Sequence, residues 1–229
     1  MATVPILLLI YRRSCSVMFG LFVYLCFGYY AFAFTAIRQS VAMGLTVMAY
    51  FALEDKQQLK FFIYCLLAIT FHMSAIVFIP VCLFGLVKIN RLTIFFITSA
   101  GIVLYLARNR LLDLYASGYA DKGYEATTVG GQRFLLVLIA LIVLGWLFRK
   151  HFLVNRANQL LFLMSCSAAI VFAVSRANPF FLRAALYFQL YQVCYIPNLV
   201  RSIKSARIRV TGYAGFISVG FYYFFTQVC

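Results

Sequence analysis

The sequence predicts an all-α, multi-pass transmembrane helical protein, and three observations carry that expectation. First, 65% of its 229 residues are hydrophobic and 11% are charged, with a mean hydropathy of +0.96. A chain this short cannot hide so much apolar surface in a core, so lipid must solvate much of it. Second, apolar runs of about 16 to 20 residues, the length a helix needs to cross hydrocarbon, recur between short polar turns. Third, these runs lack the alternation of barrel strands, and in lipid only helices and closed barrels satisfy their own backbone. The reading is one transmembrane domain over residues 1–229, with roughly seven to nine membrane helices, two of them short and near His72.

Taken in order, residues 1–10 are apolar and are followed at once by Arg12 and Arg13. No basic residues precede them, which is not the layout of a secretory signal. Ten residues at about 1.5 Å each reach only half of a 30 Å hydrocarbon layer, so this segment is expected to be the stub of a missing helix. Residues 16–34 read as a full span, residues 37–53 as the next, and the polar turn 54–60 closes it. With Arg12 and Arg13 in the cytoplasm, the first span runs outward and the second returns, which puts Arg38 at the outer face.

The run 60–87 is too long for one upright helix and too short for two full ones. As one tilted helix it leaves 10 basic residues on each side of the membrane. Broken near His72 and Met73 into two short helices, it puts 13 inside and 7 outside. The positive-inside rule favours the break, and half-helices of that length must pack against protein rather than lipid. Further spans are expected over 92–107, 134–148, 160–175, 184–200 and 210–228, with Pro80, Pro179 and Pro197 near helix ends or kinks.

A net charge of +15 in a soluble protein would suggest nucleic acid. Here Lys and Arg flank apolar runs, so they read as cytoplasmic loops and no nucleic-acid partner is expected. The seven cysteines are scattered without a CxxC pair and read as small apolar packing residues. His72 and His151 fall on opposite faces and the carboxylates show no ligand spacing, so no metal is expected. There is no Walker A sequence and no GxGxxG, hence no expected nucleotide cofactor. Ser74 and Asp113 leave a Ser-His-Asp triad open, but no GxSxG elbow accompanies them.

The break has a consequence that did not enter its choice. Arg38, His72, the polar loop 108–133 and the segment 176–183 all land on the outer face. That loop carries Asp113, Asp121 and Glu125 with Tyr115, Tyr119 and Tyr124, and a loop of its length suits a lid or binding segment. An arginine at membrane depth costs about 2.5 to 3.5 kcal/mol on insertion scales and so marks a cavity or partner. Arg38, Arg176 and Arg183 together suit phosphate or pyrophosphate, whose oxygens match the guanidinium fork. His72 titrates near neutral pH and serves either as a base or as an interhelical hydrogen-bonding group.

The stretch IRQSVAMGLTVMAYFALEDKQQLKFF followed by LLAITFHMSAIVFIPV, and then NPFFLRAALYFQLYQVCYIPNLV, resembles the EpsG family of bacterial exopolysaccharide polymerases. The shared features are an arginine–glutamine pair opening one helix, a Phe-His with a following Ser-Ala in the next run, and a later arginine-and-Tyr-Phe helix. The resemblance implies a Wzy-like enzyme that joins undecaprenyl-pyrophosphate-linked oligosaccharide units at the outer face of the bacterial inner membrane, in exopolysaccharide or capsule synthesis. Its partners would be that donor, membrane lipids and other assembly proteins. It also implies further spans ahead of the arginine–glutamine helix. By position, Arg38, Gln39, His72, Ser74, Arg183 and Tyr187 carry over. Together with the residue chemistry, this makes His72 and Arg38 the expected catalytic groups. Gln39, Ser74, Arg176, Arg183 and Tyr187 are the expected substrate-binding groups. The competing readings are a flippase or transporter of lipid-linked saccharide, a polysaccharide-modifying acyltransferase, and a structural membrane fragment.

Overall fold

The computed structural model describes residues 3–87, 89–119, 132–175 and 179–228, and every regular element among them is helical. The first five helices are α1 (Thr3–Arg13), α2 (Val17–Cys26), α3 (Tyr29–Thr35), α4 (Ile37–Glu54) and α5 (Gln58–Phe71). A 3-10 helix, Met73–Gly85, follows. After it come α6 (Arg91–Tyr119), α7 (Gln132–Leu147), α8 (Arg149–Phe152), α9 (Arg156–Ser175), α10 (Pro179–Gln189), α11 (Gln192–Arg201) and α12 (Ala206–Tyr223), with a π turn over Phe224–Val228. Among the described residues, one helix, Arg156–Val174, is by length and composition long and apolar enough to cross a membrane, and the bent pair α2 and α3 passes the same test when taken together.

The centre of the bundle is the hairpin of α4 and α5. Small buried residues, Ala42, Gly44, Ala49 and Ala52, line α4 and let its neighbours approach closely. The helix ends in a Schellman motif, with the N–H of Gln57 on the carbonyl of Ala52 at 2.8 Å and that of Lys56 on Leu53 at 3.1 Å. Lys56 takes the left-handed position at φ 57. α5 then runs back along α4, so its last residue, Phe71, returns to the end where α4 began.

The run 60–87 breaks at His72, whose extended backbone (φ −153, ψ 115) joins the two helical segments. The second segment doubles back beside the first. Phe61 and Phe78 stack with ring centroids 6.3 Å apart, and a Cβ placed on Gly85 would lie 3.3 Å from Leu53 Cδ1 and 3.7 Å from Gln58 Nε2. Thirteen residues wound as a 3-10 helix cover about 26 Å, against about 20 Å as an α-helix. The tighter winding therefore lets a segment too short for an α-helical span travel nearly a hydrocarbon thickness. Its sequence suits this, because Ile76, Val77, Ile79 and Val81 are β-branched and Pro80 has no N–H to give an α-helical ladder. Arg156 closes the far end, donating to the carbonyls of Val87 and Gly85 at 2.8 Å each and to that of Phe84.

Three expected elements differ from the structure. Residues 16–34 are not one straight span: α2 and α3 meet at 53°, because Gly28 adopts φ 75, a conformation that costs other L-residues about 1 to 2 kcal/mol. Residues 184–200 are divided between α10 and α11. The chain tightens to i→i−3 bonding from Val193 to Leu190 and from Cys194 to Tyr191, in the turn before Pro197, which leaves the carbonyl of Val193 without a ladder donor. Finally, α6 continues to Tyr119 and α7 begins at Gln132, so both ends of the expected polar loop 108–133 are helical. Asp121, Lys122, Tyr124 and Glu125 lie outside the described residues.

Residues 1–10 belong mostly to α1, which buries Ile6, Leu9 and Ile10 in the core it shares with α4. The hairpin, α9 and α10 share that core, and α12 lies along α2 through the ring pairs Phe19–Tyr213, Phe22–Phe221 and Phe27–Tyr223. The bundle thus has two distinct ends. One gathers Arg13, Glu54, Arg156, Asn198 and Arg201; the other gathers the first turn of α4, His72 and the upper part of α10.

Candidate functional site

At the second end, three elements converge: the first turn of α4, the α5-to-3-10 junction and α10. Arg38 is exposed in that first turn, and Gln39 beside it is 1% exposed. The Gln39 Nε2 donates to the carbonyl of Arg183 at 2.7 Å, which pins α10 to α4. Its Oε1 is buried with no hydrogen-bond partner among the described residues. The amide nitrogen of Gln39 therefore holds the scaffold together, while its acceptor oxygen is sealed inside it.

His72 and Ser74 are two residues apart across the break, and the extended backbone of His72 turns its ring toward the Ser74 hydroxyl. The Ser74 Oγ lies 2.7 Å from His72 Nδ1 and donates to the Tyr187 hydroxyl at 3.4 Å. The Ser74 hydroxyl thus orients the imidazole at Nδ1, and the tautomer of the neutral ring is tied to the direction of that bond: Nε2 carries the lone pair when Nδ1–H donates to Oγ. His72 belongs to neither helical segment and is half-buried. Burial, and then the charge of Arg183, push its pKa below the usual 6.5, so it is neutral at pH 7.

Arg183 is exposed, and Tyr187, one turn further along α10, is fully buried. The structure therefore brings Gln39, His72, Ser74, Arg183 and Tyr187 together, with Arg38 adjacent in sequence to Gln39. Tyr187 meets the site through its hydroxyl on Ser74. Arg176 lies outside the described residues. Among the described residues, no group of three or more His, Cys, Asp or Glu side chains gathers to hold a metal ion.

Two features were not read from the sequence. The tie from Gln39 to a backbone carbonyl leaves no motif, since any chain position offers a carbonyl. The ion pair between Arg13 Nε and Glu54 Oε2, at 2.7 Å, joins residues 41 apart; the only sequence hint was that both fall on the same side of the inferred membrane. Tyr50 adds a hydrogen bond to the same carboxylate at 3.1 Å.

The fold and site together define an all-helical, strongly apolar protein with a polar histidine–serine–tyrosine chain at a helix break. More narrowly, the chain belongs to the EpsG family, whose model matches residues 1–229. That family is linked to exopolysaccharide biosynthesis and suggests a membrane protein. No curated protein and no solved structure matched the chain.

Proposed function

We propose that this chain is a multi-pass polymerase of the bacterial inner membrane that joins lipid-linked oligosaccharide repeat units in exopolysaccharide or capsule synthesis. The observation that carries the reading is the hydrogen-bonded chain His72–Ser74–Tyr187, set beside Arg183 in a member of the EpsG family. Membrane embedding is supported by large apolar side chains exposed along α5, α6 and α7, among them Leu66, Phe95, Phe96, Ile102, Leu136 and Val143. The basic end, with Arg12, Arg13, Arg156 and Arg201, suits the cytoplasm, which turns the His72 end outward.

In this reading Arg38 and Arg183 grip the pyrophosphate of an undecaprenyl-linked donor by paired charge-assisted hydrogen bonds. An acceptor sugar hydroxyl attacks the anomeric carbon, forming the new glycosidic C–O bond. The anomeric bond to the pyrophosphate oxygen breaks, and its electron pair leaves with the undecaprenyl pyrophosphate. The arginines stabilise that growing negative charge, while His72 Nε2 takes the acceptor proton. Gln39 serves substrate binding by holding Arg183 in place through the Nε2 bond to its carbonyl, and Ser74 keeps the imidazole in the required tautomer. Arg176 is assigned to pyrophosphate binding with the other arginines.

The test is incubation of the purified, bilayer-reconstituted chain with a lipid-linked repeat unit. Longer glycans are expected. Transbilayer movement at unchanged glycan length refutes the polymerase in favour of a flippase, and acyl transfer at unchanged length refutes it in favour of an acyltransferase.

A further inference from the structure

At the end of the bundle opposite His72, the α1–α2 turn, the α8–α9 turn and the last turn of α11 line an open cavity of about 530 Å³. One amide organises it. The Asn198 Nδ2 donates to the carbonyl of Arg13 at 2.8 Å and to Asn158 Oδ1 at 3.0 Å, while its Oδ1 accepts the N–H of Cys15 at 2.8 Å. All three walls are thus held in register before anything binds.

The charge in the cavity is positive and largely uncommitted. Arg13 is paired with Glu54. Arg12 rests over the Phe51 ring, 5.4 Å from its centroid, a cation–π contact that leaves its N–H groups to other acceptors. Arg201 stands in the last turn of α11, where the helix dipole favours a cation. Among the described residues neither Arg12 nor Arg201 has a carboxylate within ion-pairing distance, and no carboxylate lines the cavity. His151 adds a further basic group. Two free guanidinium forks in a preformed recess suit a phosphate ester. The recess is flanked in sequence by exposed apolar side chains, Tyr11 beside Arg12 at 74% exposure and Val154 ahead of Asn155 at 73%. Acyl chains would meet those side chains; a soluble phosphate has no use for them.

We infer that this cavity binds the phosphodiester headgroup of an anionic phospholipid of the cytoplasmic leaflet. The inference rests on the membrane reading given above and is independent of polymerase activity. It is tested with the full chain in nanodiscs of phosphatidylcholine and phosphatidylglycerol, by native mass spectrometry of the lipids retained after release. The wild type is expected to retain phosphatidylglycerol in preference to phosphatidylcholine. The R12Q/R201Q double variant is expected to lose about thirtyfold of that preference, as removal of two basic contacts implies. The K204Q/R207Q double variant removes equal charge from exposed positions outside the cavity and is expected to keep the preference. Equal loss in both doubles, or no preference in the wild type, overturns the inference. Millimolar pyrophosphate that displaces phosphatidylglycerol and is itself retained overturns the lipid assignment in favour of a soluble phosphate. A chain that never enters the discs overturns the membrane reading together with this site.

Discussion

The hydroxyl of Ser74 is the joint of the proposed site, and Ser74→Ala tests it on two separate readouts. The residue is 1% exposed and its Oγ serves His72 Nδ1 at 2.7 Å and the Tyr187 hydroxyl at 3.4 Å. Its removal leaves the fully buried Tyr187 hydroxyl without this partner, whereas water can reach the half-buried imidazole. The orphaned phenol sets the stability cost: a buried group left unpaired costs about 1 to 3 kcal/mol, and the long 3.4 Å bond points to the lower half of that range. Adding Tyr187→Phe should restore about 1 kcal/mol, because the orphan is then gone. The catalytic cost is separate. Without Ser74, Nδ1 no longer fixes the tautomer or orientation of the ring, and misplacement of a reacting group by about 1 Å costs up to a hundredfold in rate. Thermal unfolding in detergent and initial rates of polymer formation measure the two effects. In a His72→Ala background, Ser74→Ala should cost no further rate. Full activity in Ser74→Ala, or an additive rate loss in the double variant, refutes the proposed link between serine and base.

Three more outcomes follow from the structure. Arg13→Gln leaves the Glu54 carboxylate, 8% exposed, without its cation; since Arg13 is itself 31% exposed, the expected loss is about 1 to 3 kcal/mol, with partial recovery in R13Q/E54Q measured by chemical unfolding. Polymer formation should rise with pH through a midpoint below 6.5, because burial and Arg183 lower the pKa of His72 and only the neutral ring accepts a proton; a profile that falls with rising pH through that range contradicts the base role. In a background without other accessible cysteines, Met73→Cys should react with an impermeant maleimide from outside and Asn90→Cys from inside, and outside labelling at Asn90 contradicts the proposed membrane orientation of the returning segment.

The parts of this molecule that were legible in the sequence are those governed by local pattern and by charge. The boundaries of α4 follow from an apolar run closed by a polar turn, and the break at His72 followed from the distribution of lysines and arginines across the 60–87 run. What the pattern could not give is the winding of the returning segment. Hydropathy is the same for an α-helix and a 3-10 helix, and only the need to cover about 26 Å with thirteen residues distinguishes them. Gly28 was equally silent, because a glycine inside an apolar run is as often a packing residue as a bend, and its φ of 75 exists only in three dimensions. At the site, residue types marked His72, Ser74 and Arg183, since ionisable and polar groups are conspicuous in apolar runs. The hydroxyl chain to Tyr187 and the clamp from Gln39 to a main-chain carbonyl depend on how α10 docks against α4. The basic cavity was hidden for the same reason: Arg12 and Arg201 read singly as topology signals, and only the docking of α1, α9 and α11 makes them neighbours.

The central claim is that the His72 end of the bundle performs glycosyl transfer from a pyrophosphate-linked donor. Its most direct test counts undecaprenyl pyrophosphate released per new glycosidic linkage, with the reconstituted chain and one defined repeat unit, in the wild type and in His72→Ala. The expected result is one pyrophosphate lipid per linkage in the wild type and a fall of about a hundredfold or more in His72→Ala at equal membrane insertion. Linkage formation at the wild-type rate without His72, or pyrophosphate lipid released with no linkage formed, would contradict the account.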